Sequence, residues 1–418
     1  MQILLSLASV YAGFGLIFIL NGYLAEHLDL EGFGDIQVAF SVSAFLGTIL
    51  VLGGGAGAGK FLPVYMQARR FAEAKGYLQT HFKQTIILSL GLLVISGSLG
   101  LTFHLLGMER LEHVAVLSVI LAPLFAVALL STLVVGALQR PFAAIFPSEV
   151  LRPALFLLGA MAWLAVFPTF TDREVIAIFF AALCLVCAVQ LYFLRGGLAF
   201  DWAATEATFD KETWREVTRS LLFVVLANLF LISLMIIAME VLHTDEADVG
   251  IFAILFFVTS FVWTNFNAVM NVAAPKISEL TGDREGLQKL FNQAFGVTFL
   301  MSVLTAAPLA FLAEGILTYF HYDAAAYADW LLIALAIAPV NCALLTAVPF
   351  LTLGGHHRQA VKVSIVLLAT TLVVAPGAVF LYGLEGAILA LLALRFLRGV
   401  SFVWLLRQRA GVKILGIV

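Results

Sequence analysis

Twelve runs of mostly apolar residues, divided by short polar connections, make up nearly the whole chain. They lie near 4–25, 35–58, 84–106, 114–138, 143–167, 174–194, 217–239, 249–274, 293–313, 329–352, 360–381 and 385–406. A helix of about 20 apolar residues spans the hydrocarbon core of a bilayer, so each run is read as one membrane span. The runs do not alternate every second residue, which excludes a transmembrane barrel. Composition agrees: 62% of the 418 residues are hydrophobic, against roughly 45–50% in soluble domains. Mean hydropathy is +1.05. Residues 4–25 lack a basic flank and exceed a signal-peptide core, so they are read as the first span.

Orientation follows from lysine and arginine, which concentrate on the cytoplasmic side of membrane proteins. With the N-terminus inside, most of the 23 cations fall in inside segments and only Arg110 and Arg173 fall outside. The outside loops are acidic, with Glu26, Asp29, Glu31 and Asp35 in one and Glu240, Asp245, Glu246 and Asp248 in another. Both termini are expected in the cytoplasm. No outside loop is long enough to hold a domain of its own.

The chain also repeats itself weakly. At one constant offset Gly34 falls on Gly250 and Lys60 on Lys276, each pair framing an apolar run that follows an acidic stretch. Six spans precede the longest inside connection and six follow it. An even number per half gives lobes related by a pseudo-twofold axis along the membrane normal. The expected fold is therefore an all-α polytopic membrane protein of about 12 transmembrane helices in two six-helix lobes. The lobes are 1–194 and 217–418, joined by a cytoplasmic linker at 195–216 that reads as a Gly196-Gly197 hinge followed by a surface helix around Trp214.

Charges inside the spans carry the chemistry. An ionised side chain at mid-bilayer costs about 2.5–3.5 kcal/mol on insertion scales and usually faces a bundle interior or a wet cavity. Arg152 lies in the fifth span with Glu149 one turn before it, bracketed by Pro147 and Pro153, which kink or loosen the helix. Arg395 and Arg398 lie one turn apart in the last span. One basic site thus comes from each half, and a cationic cavity at their interface would bind phosphate oxygens through the planar guanidinium fork. Plainer readings stand beside this one. Glu149 and Arg152 neutralise each other as a structural pair, or Arg398 snorkels to the interface.

Secondary candidates are Lys60 and Lys276, as membrane anchors or as a vestibule ring, and Asn228, Asn265 and Asn341, whose amides either join helices or line water. Cys184, Cys187 and Cys342 sit in apolar runs and read as inert packing, because reactive thiols need a polar, partly exposed setting. The eight histidines show no metal-ligand spacing.

Two motifs are decoys. Gly54-Gly-Ala-Gly-Ala-Gly59-Lys60 satisfies part of a P-loop, but Phe61 replaces the required hydroxyl residue and a spanning helix precedes it where a strand is needed. Its glycines serve close helix packing or local unwinding. Asp29-x-Glu31 is similar to the acidic pair of membrane glycosyltransferases, yet the chain lacks the outside domain that would seat an acceptor, so this is the weakest functional alternative.

Several short motifs resemble lipid-linked oligosaccharide flippases, the polysaccharide-transporter branch of the MATE-like MOP exporter superfamily. They are Gly32-Phe-Gly34, Val249-Gly-Ile-Phe252, Ala274-Pro-Lys-Ile-Ser-Glu-Leu280 with Gly282-Asp-Arg-Glu285, Pro147-Ser-Glu-Val-Leu-Arg-Pro153 and Tyr382-Gly-Leu-Glu-Gly-Ala387. The resemblance implies a multi-pass flippase in the inner membrane of a bacterium, carrying a polyprenyl-pyrophosphate-linked glycan outward by alternating access for surface polysaccharide synthesis. It implies no enzyme activity, no cofactor and no nucleic-acid partner. Membrane lipids, and the polysaccharide polymerase and chain-length machinery, are the candidate partners. A proton or sodium gradient is the candidate energy source. The runner-up on the same scaffold is a MATE-type multidrug or small-solute antiporter driven by a cation.

Overall fold

The computed structural model describes residues 2–107, 119–167, 171–242, 247–280 and 283–413. Arg110, the start of the expected fourth span, Asp245, Glu246 and Gly282 lie outside the described residues. Every regular element among those described is helical. In chain order they are α1 (Gln2–His27), α2 (Leu30–Val51), α3 (Gly54–Gln67), α4 (Phe71–Leu105), α5 (Ala122–Ala137), α6 (Pro141–Phe146), a π-helical turn (Pro147–Leu151), α7 (Arg152–Leu164) and α8 (Asp172–Arg195). There follow α9 (Lys211–Leu242), α10 (Ala247–Glu279), α11 (Arg284–Phe311), α12 (Ala313–Phe320), a 3-10 turn (Tyr322–Tyr327), α13 (Ala328–Leu345), α14 (Ala347–Leu353) and α15 (His357–Ala410).

These elements reproduce the twelve expected spans, with three departures that have physical causes. First, the second span is broken. Leu52 and Gly53 adopt left-handed backbone angles, with φ 47° and 75°, so α2 ends and α3 starts afresh within the glycine run. Second, the linker has no separate surface helix. Residues 196–210 strap across the start of α4, where the Lys75 ammonium donates to the carbonyl oxygens of Trp202 and Thr205 at 2.6 and 2.7 Å. The amphipathic stretch beyond it is simply the first turns of the 32-residue α9. Trp214 turns inward, 1% exposed, and its indole N–H donates to the Tyr65 hydroxyl at 2.9 Å. Third, the last two spans are one continuous run of 54 helical residues, broken only at Gly383, where φ is 56° and ψ is −133°. The chain doubles back there, since a Cβ built on Gly386 would lie 2.1 Å from the Ala378 carbonyl oxygen.

The chain forms two compact units, Met1–Leu229 and Phe230–Val418, with the division inside α9. In the first, α5 is central: Ala122, Ala126, Leu130 and Val134, spaced one turn apart, are all fully buried against α2, α3 and α4. Gly47 lets α2 approach closely, since a Cβ there would sit 2.9 Å from the Phe125 Cβ. In the second, α13 is nearly all buried from Ala338 to Leu345, and Phe291, Phe350 and Phe402 join residues of α10, α11, α14 and α15 in a core cluster. Large apolar side chains elsewhere point outward, including Val94 at 70% and Phe380 at 73% exposure. For a bilayer-solvated fold that is the expected surface, because lipid tails are as apolar as leucine.

Buried polar side chains hold some of these helices together. Asn265, 2% exposed on α10, donates through Nδ2 to the Thr305 hydroxyl of α11 at 2.9 Å and to the Val262 carbonyl at 3.1 Å. Asn265 therefore joins α10 to α11. Such bonds contribute about 0.6 kcal/mol on average in membrane helices. Asn265→Leu is expected to lower thermal stability in detergent modestly with transport retained. Lost transport at unchanged stability would move Asn265 onto the substrate path.

Candidate functional site

In the first unit, Pro147 and Pro153 bracket the π turn that the paired prolines predict as a loosened helix. A π turn inserts one residue into the helix and is frequent at functional sites. Glu149 and Arg152 are both half-buried here. They do not form an ion pair, since no Arg152 nitrogen comes within 4.0 Å of a Glu149 carboxylate oxygen. The helix α1 presses on this turn at Gly13, where a Cβ would lie 2.2 Å from the Glu149 carbonyl oxygen.

The turn also belongs to a polar knot that sequence inspection missed. Gln190 of α8 is fully buried, and its Nε2 donates to the hydroxyls of Thr132 on α5, at 2.7 Å, and Ser148 in the turn, at 2.9 Å. The two hydroxyls are 2.9 Å apart. A lone glutamine within an apolar span was the available signal, since amides in lipid require partners.

In the second unit, Arg395 and Arg398 are one turn apart on α15, at 8% and 7% exposure. The Arg395 guanidinium carbon lies 4.3 Å from the ring centroid of Trp263 and 5.1 Å from that of Phe256, both on α10. Stacking of this kind recovers about 2 kcal/mol when desolvated, offsetting part of the insertion cost. The guanidinium carries five in-plane N–H donors in a fixed fork. No hydrogen bond from those donors is formed to the described residues. The space beside Arg395 is a cleft of about 20 Å³, walled by Phe252, Leu255, Thr259 and Trp330, with room for about one water. Arg398 packs its guanidinium 5.9 Å from the Phe402 ring centroid. Its burial differs from the free, water-seeking head of a snorkelling side chain.

The interior of the second unit also holds buried polar side chains, as that of the first unit does. Trp263 Nε1, the hydroxyls of Thr264 and Thr298, and both amide atoms of Asn341 are buried without a hydrogen-bond partner among the described residues. They come from α10, α11 and α13.

The remaining candidates separate from these centres. Lys60 in the middle of α3 and Lys276 near the end of α10 are both exposed. Asn228 lies on α9, but its side chain is outside the described residues. Asp29 caps α2, its carboxylate accepting from the Gly32 N–H at 2.9 Å. No cluster of three or more His, Cys, Asp or Glu suited to a metal ion occurs among the described residues.

No protein-family model and no curated protein matches the sequence. Solved structures do match in fold along almost its whole length. The chain superposes on the MATE multidrug transporter DinF-BH with a TM-score of 0.72 and 16% identity, covering 98% of this chain and 94% of that one. An inward-facing multidrug resistance MATE transporter of the MOP superfamily gives 0.65 and 17%, covering 98% of each chain. A MOP superfamily transporter from Pyrococcus furiosus, described as having a binding pocket of reverse polarity that suggests a different function, gives 0.72 and 15%, covering 98% and 95%. The chain is thus an all-helical, multi-pass membrane protein with the MATE transporter fold.

Proposed function

We propose that this protein is a MATE-type antiporter that exports organic anions by alternating access, without nucleotide, across the inner membrane of a bacterium with both termini cytoplasmic. One observation carries the choice of anion: the Arg395 guanidinium is held by aromatic faces inside the second unit while its edge donors remain uncommitted. A carboxylate, sulfonate or phosphate ester supplies acceptors for such a fork, and it would enter as the cleft of about 20 Å³ beside Arg395 widens during the transport cycle. The transporter class is supported by the fold likeness, and two of the three similar structures described above are multidrug transporters. The third shows that pocket polarity varies on this scaffold. A proton or sodium gradient is the proposed driving force.

A second reading is favoured by Arg398, one turn from Arg395 and equally buried. Two guanidinium groups on one helix face suit a doubly negative pyrophosphate. The substrate would then be a polyprenyl-pyrophosphate-linked oligosaccharide, its tail remaining in lipid. Polysaccharide polymerase and chain-length proteins would be the partners of that activity.

Proteoliposomes holding this protein alone separate the two. A pH or sodium gradient is expected to drive accumulation of a fluorescent anionic dye while a fluorescent polyprenyl-pyrophosphate sugar stays in its leaflet. Transbilayer movement of the lipid-linked sugar, with the dye unmoved, transfers the site to the second reading. Movement of a cationic dye alone sinks both, since neither tolerates a receptor that prefers positive charge.

A further inference from the structure

The first unit carries a large groove that the transport reading does not use. It has a volume of about 1340 Å³ and lies between the first half of α4, the end of α8 and the strap at 196–210. Its rim holds Lys83, Arg195 and Lys211 against a single carboxylate, Asp201. All three cations are exposed. Beneath the rim the wall becomes aliphatic, with Ile86, Ile87 and Leu191 at 49%, 56% and 42% exposure. Trp202 stands at the boundary, 40% exposed, its ring 5.3 Å from the Lys75 ammonium.

The arrangement is that of an interfacial site. Tryptophan together with lysine and arginine marks the headgroup level of a bilayer. The start of α4, the end of α8 and the start of α9 share the side expected to be cytoplasmic, where anionic lipids concentrate. Along α4 the groove opens onto a continuous outward apolar stripe, with Leu90 at 60%, Val94 at 70% and Leu101 at 62% exposure. Acyl chains can therefore run down the helix while a headgroup sits among the cations. Basic pockets between helices on that side suit anionic lipid headgroups.

We infer that this groove binds an anionic phospholipid of the surrounding leaflet, its phosphate held by Lys83, Arg195 and Lys211 and its acyl chains laid along α4. The strap is pinned to α4 through Lys75 and through Thr208, whose N–H donates to the Ala72 carbonyl at 3.0 Å. A seated lipid would brace the same strap from its open side.

The test uses the full chain in nanodiscs of mixed phosphatidylglycerol and phosphatidylcholine, with a trace of photoactivatable phosphatidylglycerol. Labelled peptides are expected from 78–88 and 191–211. Each interfacial cation contributes about a fivefold preference for anionic lipid, so Lys83→Gln/Arg195→Gln/Lys211→Gln should lower labelling relative to a photoactivatable phosphatidylcholine by about a hundredfold. These exposed positions tolerate glutamine, and peptide mapping on the unaltered protein decides the matter independently. Equal labelling by the zwitterionic probe, or labels that map elsewhere, overturns the inference. So does displacement of the lipid by soluble glycerol phosphate, which would make the occupant a free anion. The readout requires no transport substrate, so it stands or falls apart from the antiporter reading.

Discussion

Arg395→Ala is expected to lower anion transport in liposomes by one to two orders of magnitude without loosening the fold. The side chain is 8% exposed on α15 and stacked on Trp263 and Phe256. A charge-assisted hydrogen bond contributes about 1.5–3 kcal/mol, so losing the one formed to a bound anion weakens binding roughly 10- to 100-fold. Stability separates a binding role from a structural one. Removing a buried guanidinium relieves an insertion cost of about 2.5–3.5 kcal/mol, against a stacking loss of about 2 kcal/mol, so the melting temperature should hold or rise. Arg395→Lys keeps the charge but loses the planar fork and the flat stacking face. Its transport should fall between the two, with weakened affinity as the main change. Trp263→Leu removes one stacking face and leaves Phe256, so a several-fold loss is expected. Transport and melting temperature falling together in Arg395→Ala would make the residue a structural member of the second unit.

The spans were legible because bilayer thickness imposes a length on every apolar run, and no competing fold asks for twelve such runs. Local backbone chemistry was less visible. Hydropathy treats Leu52 and Gly53 as further apolar residues, so the second span reads as continuous although two left-handed residues end its first helix. The strap shows the limit of reading polarity as exposure: Lys75 and Trp214 look like surface residues, yet both are buried through long-range bonds to Trp202, Thr205 and Tyr65. At the candidate site, mid-span arginines stood out because charge in hydrocarbon is costly. Their aromatic supports did not, since Phe256 and Trp263 are two among many apolar residues until α10 and α15 are packed. His81 makes the same point. It is 4% exposed, with neither ring nitrogen partnered among the described residues and its ring 4.4 Å from that of Tyr77, though Gln79, Thr80 and Lys83 beside it in sequence are polar.

The glycine run at Gly53–Gly59 gives the second large expectation, because two of its glycines should respond with opposite signs. Gly53 holds φ at 75°, and a Cβ there would lie 2.1 Å from the Thr218 carbonyl oxygen and 3.2 Å from the Leu222 nitrogen. Both are backbone atoms of α9, so no side chain can swing aside. Left-handed strain costs about 1–3 kcal/mol and overpacking costs typically another 1–3 kcal/mol, so Gly53→Ala should destabilise the first unit strongly or prevent its accumulation. Gly59 is helical, with nothing within 4 Å of an added Cβ. Alanine is favoured over glycine by about 0.5–1 kcal/mol in a helix interior, so Gly59→Ala should be neutral or stabilising. Thermal unfolding of the two purified variants in one detergent, beside the parent, makes the comparison. Equal losses would mean the run needs glycine throughout, as a loop wrapped on a ligand would. The expected split instead assigns Gly53 to the break between α2 and α3 and to its contact with α9, leaving Gly59 as an ordinary helical position facing outward.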